Sequence, residues 1–333
     1  MAMKKFINDP NNLTSELLEG YCLAYGNKVA LKSEKLVVRA DPKPLDKVAL
    51  VTLGGAGHEP ALSGFVGQGI LDVSVVGDIF AAPGPPKVIE ALRAMKREAG
   101  ILFVVLNHAG DVLSGNMAMQ MAEKEGIRVR RLLTHEDIAP GAKAPAEDKR
   151  GLVGCVPLYK IAGAAAEAGK SLEEVYAVAE RFNQNMATLA VALKTATHPS
   201  SGVPIFELAD DEMEIGMGQH GEAGTGRSKM MTADQTAEIM IQQLAAAVGA
   251  KRGDKLLVIL NGAGATTLME LYIIFRHVKH WLAGQGIEVA RVLIDELLTV
   301  QEMAGFQMFV AKMDNELLAL WDAPCDTPYL TVR

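Results

Sequence analysis

Short, apolar, β-rich runs that stop abruptly at glycine recur along this chain. Val48-Ala49-Leu50-Val51-Thr52-Leu53 ends at Gly54-Gly55, and Ile101-Leu102-Phe103-Val104-Val105-Leu106 ends at Asn107-His108-Ala109-Gly110. Lys255 to Leu260 ends at Asn261-Gly262-Ala263-Gly264. A run without polar alternation is buried on both faces, which is the signature of a strand inside a helix-covered sheet. Helical patterns separate the runs. Pro86 opens one that carries Val88, Ile89, Leu92 and Met95 on a single face, with Gly100 closing it. A second ends at Gly126 and is followed by a strand from Ile127 to Leu133. Strands joined by helices of this length make right-handed crossovers and a largely parallel sheet.

From Pro157 to about Leu193 the pattern reads as helical, with Ser171-Leu172-Glu173-Glu174 spaced as a capping box. Lys194 to Thr232, rich in Gly, Pro, Ser and acids, reads as a junction with a few short strands. Thr232-x-x-Gln235 and Thr267-Leu268-Met269-Glu270 then cap two further helices, and Ile287–Ile294 and Phe306–Lys312 read as strands. The expectation is two α/β domains. Residues 1–190 carry a largely parallel, doubly wound sheet, and residues 191–333 form a second, smaller α/β domain. The strand ends at 46–57 and 254–264 echo each other, as do 105–110 and 259–264; shared strand-to-turn physics explains this more simply than duplication.

Composition removes several function classes. Lys+Arg 33 against Asp+Glu 40 gives a net charge of −7, and two Trp, six Tyr and nine Phe offer few stacking platforms, so nucleic acid is not the expected partner. No apolar run reaches the ~20 residues of a membrane helix. The first nine residues have two lysines with no apolar stretch behind them, which does not read as a secretory signal. Cys22, Cys155 and Cys325 are far apart and form no CxxC, so a reducing cytoplasm is expected. His135, His198, His277 and His280 show no metal-ligand spacing, and no metal site is expected. Met117, Met119 and Met121 read as core filling.

Ligands of open α/β sheets bind beyond the carboxyl ends of the strands, and two segments lie there. In Gly54-Gly55-Ala56-Gly57-His58-Glu59-Pro60, glycines allow close approach of a ligand to the backbone. His58 therefore sits where an imidazole can exchange protons with that ligand; a plain turn with a surface histidine is the bland alternative. In Asn107-His108-Ala109-Gly110-Asp111, Asp111 is either a general base for a hydroxyl or a helix N-cap, and the two roles are compatible. A third segment, Gly216-Met217-Gly218-Gln219-His220-Gly221-Glu222-Ala223-Gly224, matches G-x-G-x-x-G. It is followed by loop rather than helix, so it is not a dinucleotide site. No P-loop motif is present. What remains is His220 in a glycine-dense loop, either a nucleophile, base or ligand, or an incidental residue.

Taken together, Gly-Gly-Ala-Gly-His58-Glu-Pro, Gly77-Asp78-Ile79-Phe80, Asn107-x-x-Gly110-Asp111, Glu212-Met213-Glu214-Ile215-Gly216-x-Gly218-x-His220-Gly221-Glu222 and Leu318-Ala319-Leu320-Trp321-Asp322-Ala323-Pro324 resemble the dihydroxyacetone kinase substrate-binding (DhaK) family, in the family's order and over nearly the whole chain. The resemblance implies a cytoplasmic two-domain homodimer. It implies that a short-chain ketose (dihydroxyacetone or a related C3–C4 ketose) is held covalently as a hemiaminal on His220. His58 would be the acid/base histidine, Asp111 the catalytic aspartate, and Gly55 a backbone contact. Ala56, Gly57, Leu106 and Asn107 would complete the substrate-binding set. The chain itself would hold no cofactor. ATP or ADP with Mg is expected on a separate DhaL-type nucleotide-binding subunit, which a phosphotransferase-system phosphocarrier could serve.

The sequence departs from the usual family pattern at several positions. Leu53 and Ala56 replace a Gly and a Ser, Ala81 and Ala82 replace hydroxyl residues, Leu106 stands where a Lys can be, and His108 stands where an aromatic is usual. The less polar rim points to an acceptor other than dihydroxyacetone, such as a four-carbon ketose. A second reading is a non-catalytic paralogue that senses a carbonyl ligand and acts as a coactivator. The retained His58 and Asp111 favour the enzyme.

Overall fold

The computed structural model describes residues 4–333. Met1–Met3, part of the segment read for a secretory signal, lie outside the described residues. In chain order the elements are α1 (Leu13–Ala24), β1 (Val29–Ser33), β2 (Leu36–Arg39), β3 (Ala49–Ala56), β4 (Val73–Ile79), α2 (Pro85–Ala94), β5 (Ile101–Leu106), α3 (Ala109–Lys124), β6 (Val129–Thr134), α4 (Cys155–Glu167), α5 (Leu172–Gln184) and β7 (Met186–Lys194). They continue with β8 (Glu212–Ile215), β9 (Arg227–Lys229), α6 (Ala233–Ala247), β10 (Lys255–Gly262), α7 (Leu268–Gln285), β11 (Glu288–Asp295), β12 (Ala304–Lys312) and α8 (Asn315–Asp322). A two-stranded ribbon, Cys325–Asp326 with Thr331–Val332, ends the chain.

Two six-stranded sheets form the frame, in the orders β1-β2-β4-β3-β5-β6 and β11-β10-β12-β7-β8-β9. In the first, β4, β3, β5 and β6 run parallel, and the β1-β2 hairpin adds antiparallel strands at one edge. Every residue of β5 is buried, as its unbroken apolar run requires. Side chains alternate between two cores. Leu102 and Val104 pack with α4 and α5, while Ile101, Phe103 and Val105 pack with α2 and α3, so helices cover both faces. The second sheet is mixed, with only β10 and β11 parallel. The capping boxes at Ser171, Thr232 and Thr267 all form. Among the described residues, no helix is long and apolar enough to cross a membrane.

Three expectations need correction. Residues 186–194 are not helical; they form β7, a nearly wholly buried strand between β12 and β8. Met186-Ala187-Thr188-Leu189-Ala190-Val191-Ala192 is rich in helix formers, and a fully buried strand has no polar alternation to distinguish it from a buried helix. The segment 107–111 is not all turn. Helix α3 begins at Ala109 with His108 at the N-cap, so Asp111 lies inside the first turn and is not the cap. Met117 is 48% exposed rather than core, whereas Met119 and Met121 are part-buried against the α2-α3 core.

The backbone at 77–83 folds back over β4 so tightly that a Cβ on Gly77 would lie 1.9 Å from the Ala81 carbonyl oxygen and 2.8 Å from Pro83 N. These are backbone atoms and cannot swing aside. Gly77→Ala is expected to destabilise the protein by about 2–4 kcal/mol, read as a lower thermal midpoint. An unchanged midpoint would show that this packing does not hold the loop.

Candidate functional site

Two loops from opposite halves of the chain meet over the carboxyl ends of β3 and β5. Gly57, at φ +98°, turns the chain after β3, a conformation that disfavours any residue with a Cβ. His58 follows, 6% exposed. Its Nδ1 lies 2.7 Å from the Thr299 carbonyl oxygen, and Thr299 N donates to the His58 carbonyl at 3.1 Å. A carbonyl only accepts, so His58 carries its proton on Nδ1 and leaves a lone pair on Nε2. The loop that supplies Thr299 is fastened by Asn261, fully buried at the end of β10. The Asn261 side-chain oxygen accepts from Leu297 N and Leu298 N at 2.8 and 2.9 Å, and its amide donates to Leu298 O at 2.7 Å.

The second loop hangs from β8. Gly216 N donates to Ala190 O at 2.7 Å, and Gly224 N donates to Glu214 Oε1 at 2.7 Å. Arg150, paired with buried Asp137, donates to Gly216 O at 2.7 Å. This places His220 Nε2 3.1 Å from His58 Nε2, although the two residues are 162 positions apart. His220 Nδ1 faces Glu222 Oε1 at 3.4 Å, and Glu222 Oε2 accepts from the His220 backbone N–H at 2.8 Å. Phe80, held at φ +56°, walls the pair; its ring centroid lies 5.1 Å from that of His58 and 5.8 Å from that of His220.

Burial and the neighbouring His220 push the His58 imidazole down to about 3, so it is neutral near pH 7. Burial pushes the Asp111 carboxyl up to about 7, against a smaller pull from His108. Burial also raises Glu222, but hydrogen bonds from His108 and His220 overcome it and hold that carboxyl far below its usual range. At His108 burial lowers the pKa, but Glu222, Asp111 and the Gly151 carbonyl together outweigh it and raise it.

Gly55, His58, Leu106, Asp111 and His220 line one small cavity together with Phe80, Ala81, Ala82 and Leu298. Asp111 is 8% exposed, and its Oδ1 is buried without a hydrogen-bond partner. The other residues of the expected set lie elsewhere. Ala56 faces a larger cavity, lined by Tyr21, Tyr25 and Tyr329, which shares Gly54, Gly55 and Leu62 with the first. Gly57 shapes the turn. The Asn107 amide is turned away and ties down the 146–149 loop through the carbonyls of Ala146, Glu147 and Lys149. Sequence reasoning missed Thr299, Asn261 and Phe80 as site builders. Thr299 acts through its backbone and leaves no side-chain signal. Asn261 stood in plain view as half of the echo with Asn107, because both asparagines end a buried strand by fastening a neighbouring loop. The larger cavity holds no comparable meeting of imidazole and carboxyl groups.

The fold and the cavity thus define a two-sheet α/β protein that offers a small ligand two imidazoles and a buried carboxyl. The chain belongs to the Dak1 family: residues 19–329 match the Dak1 domain. It is 38% identical over 315 residues, 94% of this chain and 95% of the relative, to the PTS-dependent dihydroxyacetone kinase 1, dihydroxyacetone-binding subunit DhaK of Listeria innocua. It is 35% identical to the L-erythrulose kinase of Pectobacterium atrosepticum, covering 98% of this chain and 56% of that protein. Among solved structures, the dihydroxyacetone kinase operon co-activator Dha-DhaQ superposes with a TM-score of 0.90 at 30% identity, covering 96% of this chain and 99% of that one.

Proposed function

We propose that this chain is the substrate-binding subunit of a dihydroxyacetone-kinase-like phosphotransferase, and that it holds a short-chain ketose on His220 while a separate DhaL-type subunit phosphorylates a terminal hydroxyl. The observation that carries this reading is the convergence of His220 Nε2, His58 Nε2 and the unpartnered Asp111 Oδ1 on one cavity. In the tautomer with its proton on Nδ1 toward Glu222, which the incoming ketone selects, His220 presents an Nε2 lone pair. That nitrogen bonds to the carbonyl carbon, and the C=O π pair moves to oxygen. The oxygen then takes a proton from solvent through His58 Nε2, the nitrogen that Thr299 leaves free. The charge growing on the His220 ring is met by ionised Glu222. Only a carbonyl compound can form this bond, so glycerol is rejected despite its similar hydroxyls. Asp111 accepts the proton of the hydroxyl that attacks the phosphoryl donor.

Leu62, Phe80, Ala81, Ala82, Leu106 and Leu298 make the cavity wall apolar. This suits a ketose with one more carbon than dihydroxyacetone, as does the likeness to a relative named for erythrulose. A panel of ketoses labelled with ¹³C at the carbonyl, followed by NMR, tests the choice: conversion of the ketone carbon to an sp³ carbon is expected for four-carbon ketoses. An adduct with dihydroxyacetone alone would reject the four-carbon assignment. Nucleotide and magnesium belong to the partner subunit. A phosphotransferase-system phosphocarrier that recharges it, a homodimeric assembly and a cytoplasmic setting complete the proposal.

The likeness to a co-activator favours a second reading, in which ligand capture signals without phosphorylation. Capture needs His220 and some hydrogen bonds but gives no reason for a buried, unpartnered Asp111, so the kinase reading is preferred. Sugar phosphate formed on mixing the chain with a DhaL-type subunit, ATP and magnesium decides the matter. Adduct without product from any acceptor would favour the sensor.

A further inference from the structure

The proton positions around His220 leave a gap that a cation fills. His108 Nε2 lies 2.8 Å from the Gly151 carbonyl oxygen, so it carries a proton there and its Nδ1 faces Glu222 Oε1 at 3.7 Å. The Gln219 amide nitrogen, drawn 3.0 Å from the same Nε2, would be a second donor; turning the amide lets its otherwise unpartnered Oε1 accept instead. His58 Nε2 holds a lone pair because Nδ1 donates to Thr299. If His220 keeps its proton on Nδ1, two lone pairs oppose each other across 3.1 Å. If the proton is on Nε2, it donates to His58 and every hydrogen bond outside the cluster closes. His220 Nδ1, His108 Nδ1 and Glu222 Oε1 are then left facing one another, two lone pairs and an anionic oxygen within 4.8 Å.

We propose that His108, His220 and Glu222 form a site for a divalent transition metal of the zinc type, and that an ion bound there competes with the ketose for His220. Tetrahedral zinc with bonds near 2.0–2.1 Å sets its ligand atoms roughly 3.3 Å apart. The spacings of 3.4 Å (His220 to Glu222) and 3.7 Å (His108 to Glu222) need to close by only a few tenths of an ångström, and the two imidazole nitrogens, within 4.8 Å of each other, draw together around the ion. Two imidazoles and one carboxylate leave a fourth position for water. The outer partners that normally orient such ligands are already in place: Gly151 O behind His108, His58 behind His220, and the His220 backbone N–H on the second oxygen of Glu222. His220 and Glu222 are 28% and 39% exposed, which leaves an ion a way in. Binding takes up the Nδ1 lone pairs of both imidazoles and fixes the His220 proton on Nε2, against His58. That nitrogen then has no lone pair for a carbonyl carbon, so metal and ketose exclude each other. The metal set stands on its own geometry; the competition rests on the hemiaminal reading of His220.

The test titrates the metal-free full chain with Co²⁺ and Zn²⁺. One Co²⁺ per chain with tetrahedral visible bands is expected, together with a thermal midpoint raised by Zn²⁺. His108→Phe and Glu222→Gln should each weaken binding at least about 100-fold and remove the zinc-dependent rise. Zn²⁺ should suppress the ¹³C ketose adduct of the native chain but not that of His108→Phe. Absence of stoichiometric binding, or binding that both variants retain, overturns the metal site. Binding at these residues in a chain that forms no adduct with any ketose upholds the metal site and overturns the covalent reading. Metal and ketose bound together overturn the competition.

Discussion

His220→Ala is expected to abolish the covalent ketose adduct while leaving the fold intact. Its imidazole alone presents both a lone pair toward the cavity and an ionised carboxylate behind the opposite nitrogen, 3.4 Å away. His58 cannot substitute for it. That ring is nearly fully buried and pinned at both ends of its loop, by Nδ1 on Thr299 O and by Thr299 N on its carbonyl. Without the N–C bond, only hydrogen bonds and an apolar wall hold the ketose. Binding should weaken by at least about 100-fold, on the order of 3 kcal/mol. Discrimination against glycerol should vanish with it, because the remaining contacts recognise hydroxyls that both molecules carry. The ring is part-exposed on a loop, so its loss should shift stability by no more than about 0.5 kcal/mol. Observing the ketone carbon by ¹³C NMR checks the bond, and a thermal melt checks the fold. An sp³ adduct carbon that persists in the variant would remove His220 from the chemistry.

How legible this site was depends on which physical signal placed each residue. The strands that carry it were visible because a buried parallel strand imposes an unbroken apolar run, as at 49–53 and 101–106. The cap of α7 was visible for a comparable reason, since Thr267 and Glu270 must satisfy free amides at fixed spacing. The strand at 186–194 was not, because burial on both faces erases alternation. His58, Asp111 and His220 each stood in a conspicuous motif. Their meeting was not written in any of those motifs, since it depends on how the loop after β11 receives His58 through a backbone carbonyl. Residue identity says nothing about where a carbonyl points. His108 was noticed only as a departure from an aromatic; its convergence with His220 and Glu222 joins positions more than a hundred residues apart. Asn107 misled for the opposite reason, because a polar residue at a strand end suits a ligand and a loop tether equally well.

Asp111→Asn is expected to keep the adduct and lose turnover by about 10²–10⁴-fold, the range for removal of a general base. The carboxyl lies in the first turn of α3, with Oδ1 buried and unpartnered, beside the cavity that holds the ketose. The mutation leaves N–C bond formation untouched, because that step uses His220, His58 and Glu222. What disappears is the acceptor for the proton of the attacking hydroxyl. The pH dependence follows from burial, which raises this carboxyl to about 7. The base works only when ionised, so turnover of the native chain with its partner should fall as pH drops through about 7. The adduct signal should persist across that fall. The stability signs run the other way. The folded carboxyl binds its proton more tightly than the unfolded one, whose pKa is near 3.9. Its protonated form therefore favours the fold, and stability from this group is lost as pH rises from about 4 through about 7. A neutral amide escapes that penalty, so at pH 8 the asparagine variant should be more stable by about 2 kcal/mol despite its lost activity. Rate assays with a DhaL-type subunit, ATP and magnesium measure the first effect, and denaturant melts at pH 6 and 8 measure the second. A variant that is both inactive and destabilised at pH 8 would mean that Asp111 serves the fold and not the chemistry. A variant that turns over normally would pass the role of base to another group. A gain in stability joined to a loss of turnover is what a buried carboxylate kept for proton transfer produces, since such a group lowers the stability of the resting protein and is ionised only to receive the hydroxyl's proton.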